Sequence, residues 1–299
     1  MNRDFLRSIL QEFRCVEAPD IEAYFNNGER FGSGFIVTME QNGRYENAEK
    51  TVLNAKIKAI KFRAISGVKL RATHGTHRAV KYFSRLGDGE IGCLYSFLCV
   101  CSLAADHPNA DGFTFNFEDD VISNSGDIRH VLQDISEIDA ERPVDLCYLG
   151  KCCESCQKMV HLKNNIWEAD SPYCNHATLI KNRFAAALLF HLEMSIDGKA
   201  RGDAVIPPAA SDKILQHVTK TKMSNSIVVH PSVFFQDILQ FGSGLRDNPW
   251  LNVIECRETQ HRAIFRVVRS YVGMAGGIAL ILFIIYFLFW SIKIILIPK

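Results

Sequence analysis

Short apolar runs, polar turns and longer amphipathic stretches succeed one another along most of the chain. Phe35-Ile36-Val37-Thr38-Met39 is apolar enough for a strand, and Asn42-Gly43 behind it is a turn signal. Glu46 to Ala55 reads as a helix with Val52 and Leu53 as apolar positions, and Ala59-Ile60-Lys61-Phe62-Arg63-Ala64-Ile65 as a second strand. Ile91 to Ala105 is long enough for a buried helix, and Gly112 to Phe117 is the next strand. Ile128 to Ile138 has the spacing of an amphipathic helix, Val144 to Leu149 that of a strand ending at Gly150, and Asn182 to Glu193 that of a helix buried over Ala185 to Phe190. This β, α, β order predicts an α/β fold with a parallel sheet, whose ligands bind outside the carboxyl ends of the strands.

The two ends of the chain read differently. Residues 1–30 are expected to hold a short amphipathic helix, with Phe5, Ile9, Leu10 and Phe13 on one side, and a lead-in; charges interrupt it too often for a signal peptide. From Ser270 to Ile292 no residue is charged. As a helix that stretch is about 34 Å long, enough to cross a hydrocarbon core of about 30 Å. Tyr271, Tyr286 and Trp290 supply interfacial aromatics. The expected division is therefore a main domain over 31–256, a basic juxtamembrane segment over 257–269, a transmembrane tail anchor over 270–292 and a short tail over 293–299. Arg257, Arg262, Arg266 and Arg269 outnumber Lys293 and Lys299, which predicts that the main domain faces the cytosol.

A hydrophobic content of 47% in 299 residues supports a sizeable core. With Lys+Arg at 34, Asp+Glu at 33 and a net charge of +1, no electrostatic footprint points to nucleic acid, and none is expected as a partner. In a reducing compartment most of the ten cysteines are expected to be buried thiols. The cluster Cys147, Cys152, Cys153 and Cys156, with His161, Cys174 and His176 downstream, leaves two readings: free thiols in a loop, or ligands of a structural zinc. Cys153 and Cys156 have the gap of a zinc half-site, but no second matched pair follows.

The run Phe115-Asn116-Phe117-Glu118-Asp119-Asp120-Val121 places three acids at the end of an apolar strand. It is either a solvated turn or a site for Mg²⁺ or Mn²⁺, which prefer hard oxygen ligands and commonly bridge to phosphates. Other short segments accompany it. Thr38-Met39-Glu40 with Arg44 closes the first strand, Ala64-Ile65-Ser66-Gly67 closes the second, and Gly89-Glu90-Ile91-Gly92-Cys93-Leu94-Tyr95-Ser96 opens the long apolar helix. Asp145 to Gly150, Ser211-Asp212, His230-Pro231, Phe235-Gln236 and Ser243 follow.

In this order, spread over about two hundred residues, the segments resemble glycosyltransferase family 25, which includes bacterial lipopolysaccharide galactosyltransferases and procollagen galactosyltransferases. The chain looks like a divergent member. It lacks the family's early Asn-Leu, carries Ser66 where the family has an acid, and Phe97 where it has a histidine.

The resemblance implies a GT-A type, Rossmann-like fold and transfer of a hexose from a nucleotide sugar, a UDP-sugar by preference, with Mn²⁺ or Mg²⁺ as cofactor. It implies Asp120 and Asp119 as metal ligands, Asp119 also as a partner of the donor's hydroxyls, and Glu118 as a residue orienting the other two. Thr38, Met39 and Arg44 would lie beside the nucleotide, where arginine pairs with phosphate. Glu90 and Ser96 would lie near the donor. An inverting reaction needs a base for the acceptor hydroxyl of a glycan or protein, and Asp212 is the candidate, with Asp203 as alternate. Asp212 equally suits the cap of a helix starting near Lys213. Two other classes stand beside this one. One is a transferase-fold binding or scaffold protein that has lost catalysis. The other is a metal-dependent phosphoryl-transfer or hydrolytic enzyme, for which no second acidic cluster or phosphate-binding glycine loop is found. A cytosol-facing catalytic domain would suit a microbe or a large virus glycosylating its own products.

Overall fold

The computed structural model describes residues 1–39, 43–123, 125–152, 154–236 and 256. The expected juxtamembrane segment 257–269, the anchor 270–292, the tail 293–299 and Ser243 lie outside the described residues. The chain divides into a unit Met1–Arg257, to which every described residue belongs, and a unit Glu258–Lys299.

Two helices lead in, α1 (Arg3–Phe13) and α2 (Ala18–Phe25), followed by β1 (Phe31–Thr38), α3 (Arg44–Asn54) and β2 (Ala59–Arg63). Next come α4 (Gly67–His74), α5 (Arg78–Tyr82), α6 (Asp88–Asp106), β3 (Phe113–Glu118), β4 (Val121–Ser123), α7 (Arg129–Glu141) and β5 (Leu146–Tyr148). The last third holds β6 (Val160–Lys163), β7 (Ile166–Glu168), β8 (Ala177–Lys181), α8 (Asn182–Ile196), α9 (Ser211–Lys220), β9 (Ser226–Val229) and β10 (Phe234–Gln236). Eight strands form one sheet in the order β2-β1-β3-β8-β5-β9-β7-β6, and β4 pairs with β10.

The sheet is parallel where β, α, β order predicted it: β1 runs parallel to both β2 and β3, and β5 to β9. It is not parallel throughout. Strand β8 is antiparallel to both β3 and β5, and the β6–β7 hairpin adds an antiparallel edge. The pattern alone did not reveal β8, because a short, fully buried strand has no polar alternation to mark it.

Both faces of the sheet are covered. On one, α1, α6 and α8 pack through Leu6, Ile9, Leu94, Leu98, Leu188 and Leu192; on the other, α3 and α7 pack through Val52 and Ile135 against Phe115 and Phe117. Each fully buried side chain of this size contributes about 1.5–3 kcal/mol, so packing, more than helix propensity, fixes α6. Among the described residues α6 is the one helix long and apolar enough to cross a membrane, and its burial makes it a core helix. Helix α1 starts where Asn2 accepts a hydrogen bond from the Asp4 N–H at 2.9 Å, and Arg3 and Arg7 tie it to Asp106 at the end of α6.

Several boundaries and faces differ from expectation. Strand β1 begins at Phe31, four residues before Phe35. A Cβ at Gly34 would meet the Phe117 ring at 2.7 Å, so glycine lets β1 lie against the aromatic β3. On α3 the buried pair is Ala48 and Val52, one turn apart, and Leu53 is 51% exposed. On α8, Phe190 is 60% exposed, while Leu188, Leu189 and Leu192 face the core.

The expectation of free loop thiols is corrected. Cys152 is paired with Cys174 and Cys156 with Cys256, Cα atoms 5.8 and 5.4 Å apart. Backbone bridges Cys152↔Tyr173 and Glu154↔Cys256 bring the partners to bonding distance across long stretches of sequence. Between them, Glu154 is buried and its Oε1 accepts the N–H groups of Ser155 and Ser171, at 2.7 and 2.8 Å. Cys15, Cys93, Cys99, Cys101 and Cys147 are free thiols.

Candidate functional site

The chain leaves β1 towards β2 on one side and returns past β1 to β3 on the other, so the strand order reverses between β1 and β3. The carboxyl ends of strands at such a reversal form the crevice where open α/β sheets bind ligands. Thr38 and Met39 end β1, Glu118 ends β3, and Asp119 and Asp120 form the turn that follows.

Alternation along β3 decides which way the first acid faces. Phe113, Phe115 and Phe117 belong to the core beneath α3 and α7. Thr114 and Asn116 occupy the opposite face and are held by polar partners: Thr114 by Tyr24 and Asn182, Asn116 by Asn175. Glu118 continues that polar column. It accepts a hydrogen bond from Gln236 Nε2 at 2.8 Å, and its backbone N–H donates to the His176 carbonyl at 3.0 Å.

Asp119 is held by the end of β1. Its Oδ2 accepts from the buried Thr38 hydroxyl at 2.8 Å and from the Met39 N–H at 3.3 Å, while the Arg44 guanidinium stands 3.5 Å from Oδ1. Asp120 is 9% exposed, and its Oδ1 is buried with no hydrogen-bond partner. Leaving such an oxygen unsatisfied costs about 1–3 kcal/mol, more if it is charged.

The acids act on one another. Burial pushes the Glu118 carboxyl up to about 8, with the charges of Asp120, Asp212 and Asp119 adding to the rise and the Gln236 bond opposing it. Burial also pushes Asp120 up to about 6, Asp119 adding and Arg44 opposing. The effect of Asp212 on Glu118 brings α9 to the site. Asp212 lies in the first turn of α9, where the helix dipole favours an anion. Ala210 occupies the N-cap, and Asp212 Oδ1 accepts from the next residue's N–H, that of Lys213, at 2.8 Å, so the cap reading of Asp212 is replaced by a first-turn position.

The structure thus brings together Thr38, Met39, Arg44, Glu118, Asp119, Asp120 and Asp212. Glu90 and Ser96 are taken up by the fold. Glu90 accepts the Gly87 N–H at 2.9 Å, closing the first turn of its own helix. Ser96 is buried, donating to the Gly92 carbonyl at 2.8 Å and accepting from the Ile65 N–H at 2.9 Å. Asp203 is exposed in a 3-10 turn, Gly202–Ala204, and it is its backbone carbonyl that meets His217.

Two residues of the site escaped sequence reasoning. Cys93 lies on α6, its Sγ 3.8 Å from Ser211 Oγ, and burial pushes its thiol up to about 12, the charges of Glu118, Asp212 and Asp120 adding. Cys93 stands inside the segment Gly89 to Ser96, three residues from both Glu90 and Ser96, and had no role assigned to it. Gln236, on β10, stood in the Phe235-Gln236 segment with no role assigned to it. A cavity of about 450 Å³ lined by Asn27, Phe31, Lys56 and Phe115 lies at the other edge of the sheet, by the amino ends of β1 and β2.

The cysteine cluster is resolved into separate places. Cys153 lies outside the described residues; among those described, Cys147 is buried in β5 and His161 exposed on β6 and neither joins a metal-binding group, whereas Cys152, Cys174 and His176 converge, as do Cys156, His230 and Cys256.

No family model and no curated protein sequence matches the chain. Among solved structures, the fold is similar to A197 from STIV, at 15% identity over 68% of this chain and 82% of that one, with a TM-score of 0.27. It is also similar to mouse xyloside xylosyltransferase 1 in its apo form, at 9% identity over 66% of this chain and 83% of that one, with a TM-score of 0.34. At these TM-scores the likenesses are distant, and the functional reading rests on the site alone.

Proposed function

We propose that the protein is a metal-dependent, inverting glycosyltransferase that moves a hexose from a nucleoside-diphosphate sugar, with UDP as the preferred carrier, to a hydroxyl of a glycan or protein. The observation that carries this reading is the buried, unpartnered oxygen of Asp120 within a cluster of carboxylates at the strand-order reversal. Arg44 stands against Asp119 and opposes the rise of Asp120, and a cluster of four carboxylates, Glu118, Asp119, Asp120 and Asp212, suits a bound cation. Hard carboxylate oxygens fit Mn²⁺ or Mg²⁺ and not a soft metal.

Asp120 and Asp119 would hold the ion, with Glu118 behind them orienting the pair through Gln236. When bound, the ion neutralises charge on the departing diphosphate. Thr38 and the Met39 N–H fix the Asp119 carboxylate on one oxygen, and Arg44 adds a guanidinium where phosphate would lie. Asp212 acts as base: it takes the proton of the acceptor hydroxyl as that oxygen attacks the sugar carbon from the side opposite the leaving group. The charge-free stretch 270–292 and the arginines before it support a membrane tether with the domain on the cytosolic side.

The test is incubation of the full chain, in detergent, with a panel of nucleotide sugars and Mn²⁺. Release of nucleoside diphosphate with transfer to an acceptor is expected. A folded protein that turns over no donor, and that binds neither Mn²⁺ nor nucleoside diphosphate by calorimetry, would be a scaffold instead.

A further inference from the structure

We infer that Cys152, Cys174 and His176 form a zinc site when the Cys152–Cys174 cystine is reduced. The ligand atoms of these three buried residues all lie within 4.8 Å of one another. The set is chemically unlike the acidic cluster: two thiolates and an imidazole select zinc, where carboxylates select manganese or magnesium.

The histidine is held by one ring nitrogen, which leaves the other as a candidate ligand atom. Its Nε2 lies 3.3 Å from the Phe234 carbonyl oxygen, which can only accept, so Nε2 carries the proton and Nδ1 the lone pair. Metal-binding histidines are commonly fixed in this way, through a backbone carbonyl on the other ring nitrogen. The surroundings hold the donors in place. Tyr173 exchanges both backbone hydrogen bonds with Cys152, at 3.1 and 2.9 Å, an isolated bridge that ties the two segments carrying the cysteines independently of the sulfur–sulfur bond. The His176 carbonyl accepts the Glu118 N–H at 3.0 Å, which sets this site directly behind the acidic one.

The chemistry balances with a dithiol as reductant. Two electrons from the dithiol break the sulfur–sulfur bond, two protons convert the sulfurs to the thiols of Cys152 and Cys174, and the dithiol becomes a cyclic disulfide. Zinc binding then releases those two protons as the thiolates form, and a water completes the tetrahedron. The oxidised and zinc-bound forms are mutually exclusive, because the same sulfurs serve both. Cys156, His230 and Cys256 repeat the composition, so the test removes that group first. The inference is independent of the transferase reading, since it concerns different residues and a different metal.

The experiment uses the full chain carrying Cys156→Ser and Cys256→Ser, reduced under nitrogen, freed of reductant and titrated with Co²⁺ and then Zn²⁺. Expected are a thiolate-to-cobalt charge-transfer band, its loss as a single equivalent of zinc displaces the cobalt, and no band from the oxidised protein. Carboxylate-bound cobalt at the acidic cluster gives no such band, so the two sites are told apart. His176→Ala should lose stoichiometric zinc uptake and His176→Cys should restore it, with folding followed by circular dichroism. The inference is overturned if the reduced protein shows no thiolate band, or if the band and zinc uptake are unchanged in Cys174→Ser and His176→Ala.

Discussion

Asp120 and Glu118 are held in the folded protein against their own charge, and this gives a pH dependence with a definite sign. Burial raises Glu118 from 4.5 to about 8 and Asp120 from 3.8 to about 6. Between the unfolded and folded values the native state holds more protons than the unfolded state, so stability falls as pH rises. The contribution is fully favourable below about pH 4 and lost by about pH 8. Metal-free protein should therefore show a melting temperature lowered by this pair across that window, with Mn²⁺ stabilising most at its upper end. Calorimetric scans with and without Mn²⁺ check this; a Mn²⁺ effect that shrinks as pH rises would sink it. Asp120→Asn should remove Mn²⁺ binding and turnover while raising the metal-free melting temperature at neutral pH, because it deletes a buried like charge. The sequence showed three adjacent acids, and their number was legible. Their unequal surroundings were not, since Asp119 is bound by Thr38 and Met39 from another strand while Asp120 Oδ1 is left without a hydrogen-bond partner.

The motif that opens α6 does its work between elements. A Cβ at Gly92 would meet the Ile65 carbonyl oxygen at 2.4 Å, and one at Gly67 would meet the Asp88 carbonyl oxygen at 1.9 Å. These two glycines let the start of α6 lie against the end of β2, and Ser96 bonds the same loop. Gly92→Ala should cost about 1–3 kcal/mol of stability by overpacking, and should also lower turnover by displacing Cys93 from the acids. Ser96→Ala should cost a similar amount, about 1–3 kcal/mol, by leaving the buried Ile65 N–H without its acceptor. Denaturant titrations measure both; no change in midpoint for either would refute this account. Glu90 and Ser96 were chosen from the motif as donor-binding residues, yet the motif's bond to the site runs through helix packing. Spacing along one helix cannot show what a neighbouring loop presents to it.

Across the whole molecule, the last stretch of sequence predicts where the protein resides. A chain ending at residue 256 should partition to the soluble fraction and the full chain to membranes, resistant to high salt and released by detergent; a full chain found soluble would refute the anchor. Much of the fold was legible for a simple reason. Parallel strands, covering helices and the amphipathic α1 each leave a periodicity in their own residues, and β1, β2, β3, α6 and α8 were all foreshadowed by it. Strand β8, the β6–β7 hairpin, the two cystines and the contribution of Gln236 were not, because each depends on partners far away in sequence. By itself the sequence determined the alternation of elements, the acids at the end of β3 and a charge-free stretch long enough to cross a bilayer, since these are properties of consecutive residues. Only the tertiary structure decided that the strand order reverses at those acids, that Cys93 joins them, and that Cys152 meets Cys174. Such meetings are made by chain crossings and backbone pairing, and a local pattern carries no record of them.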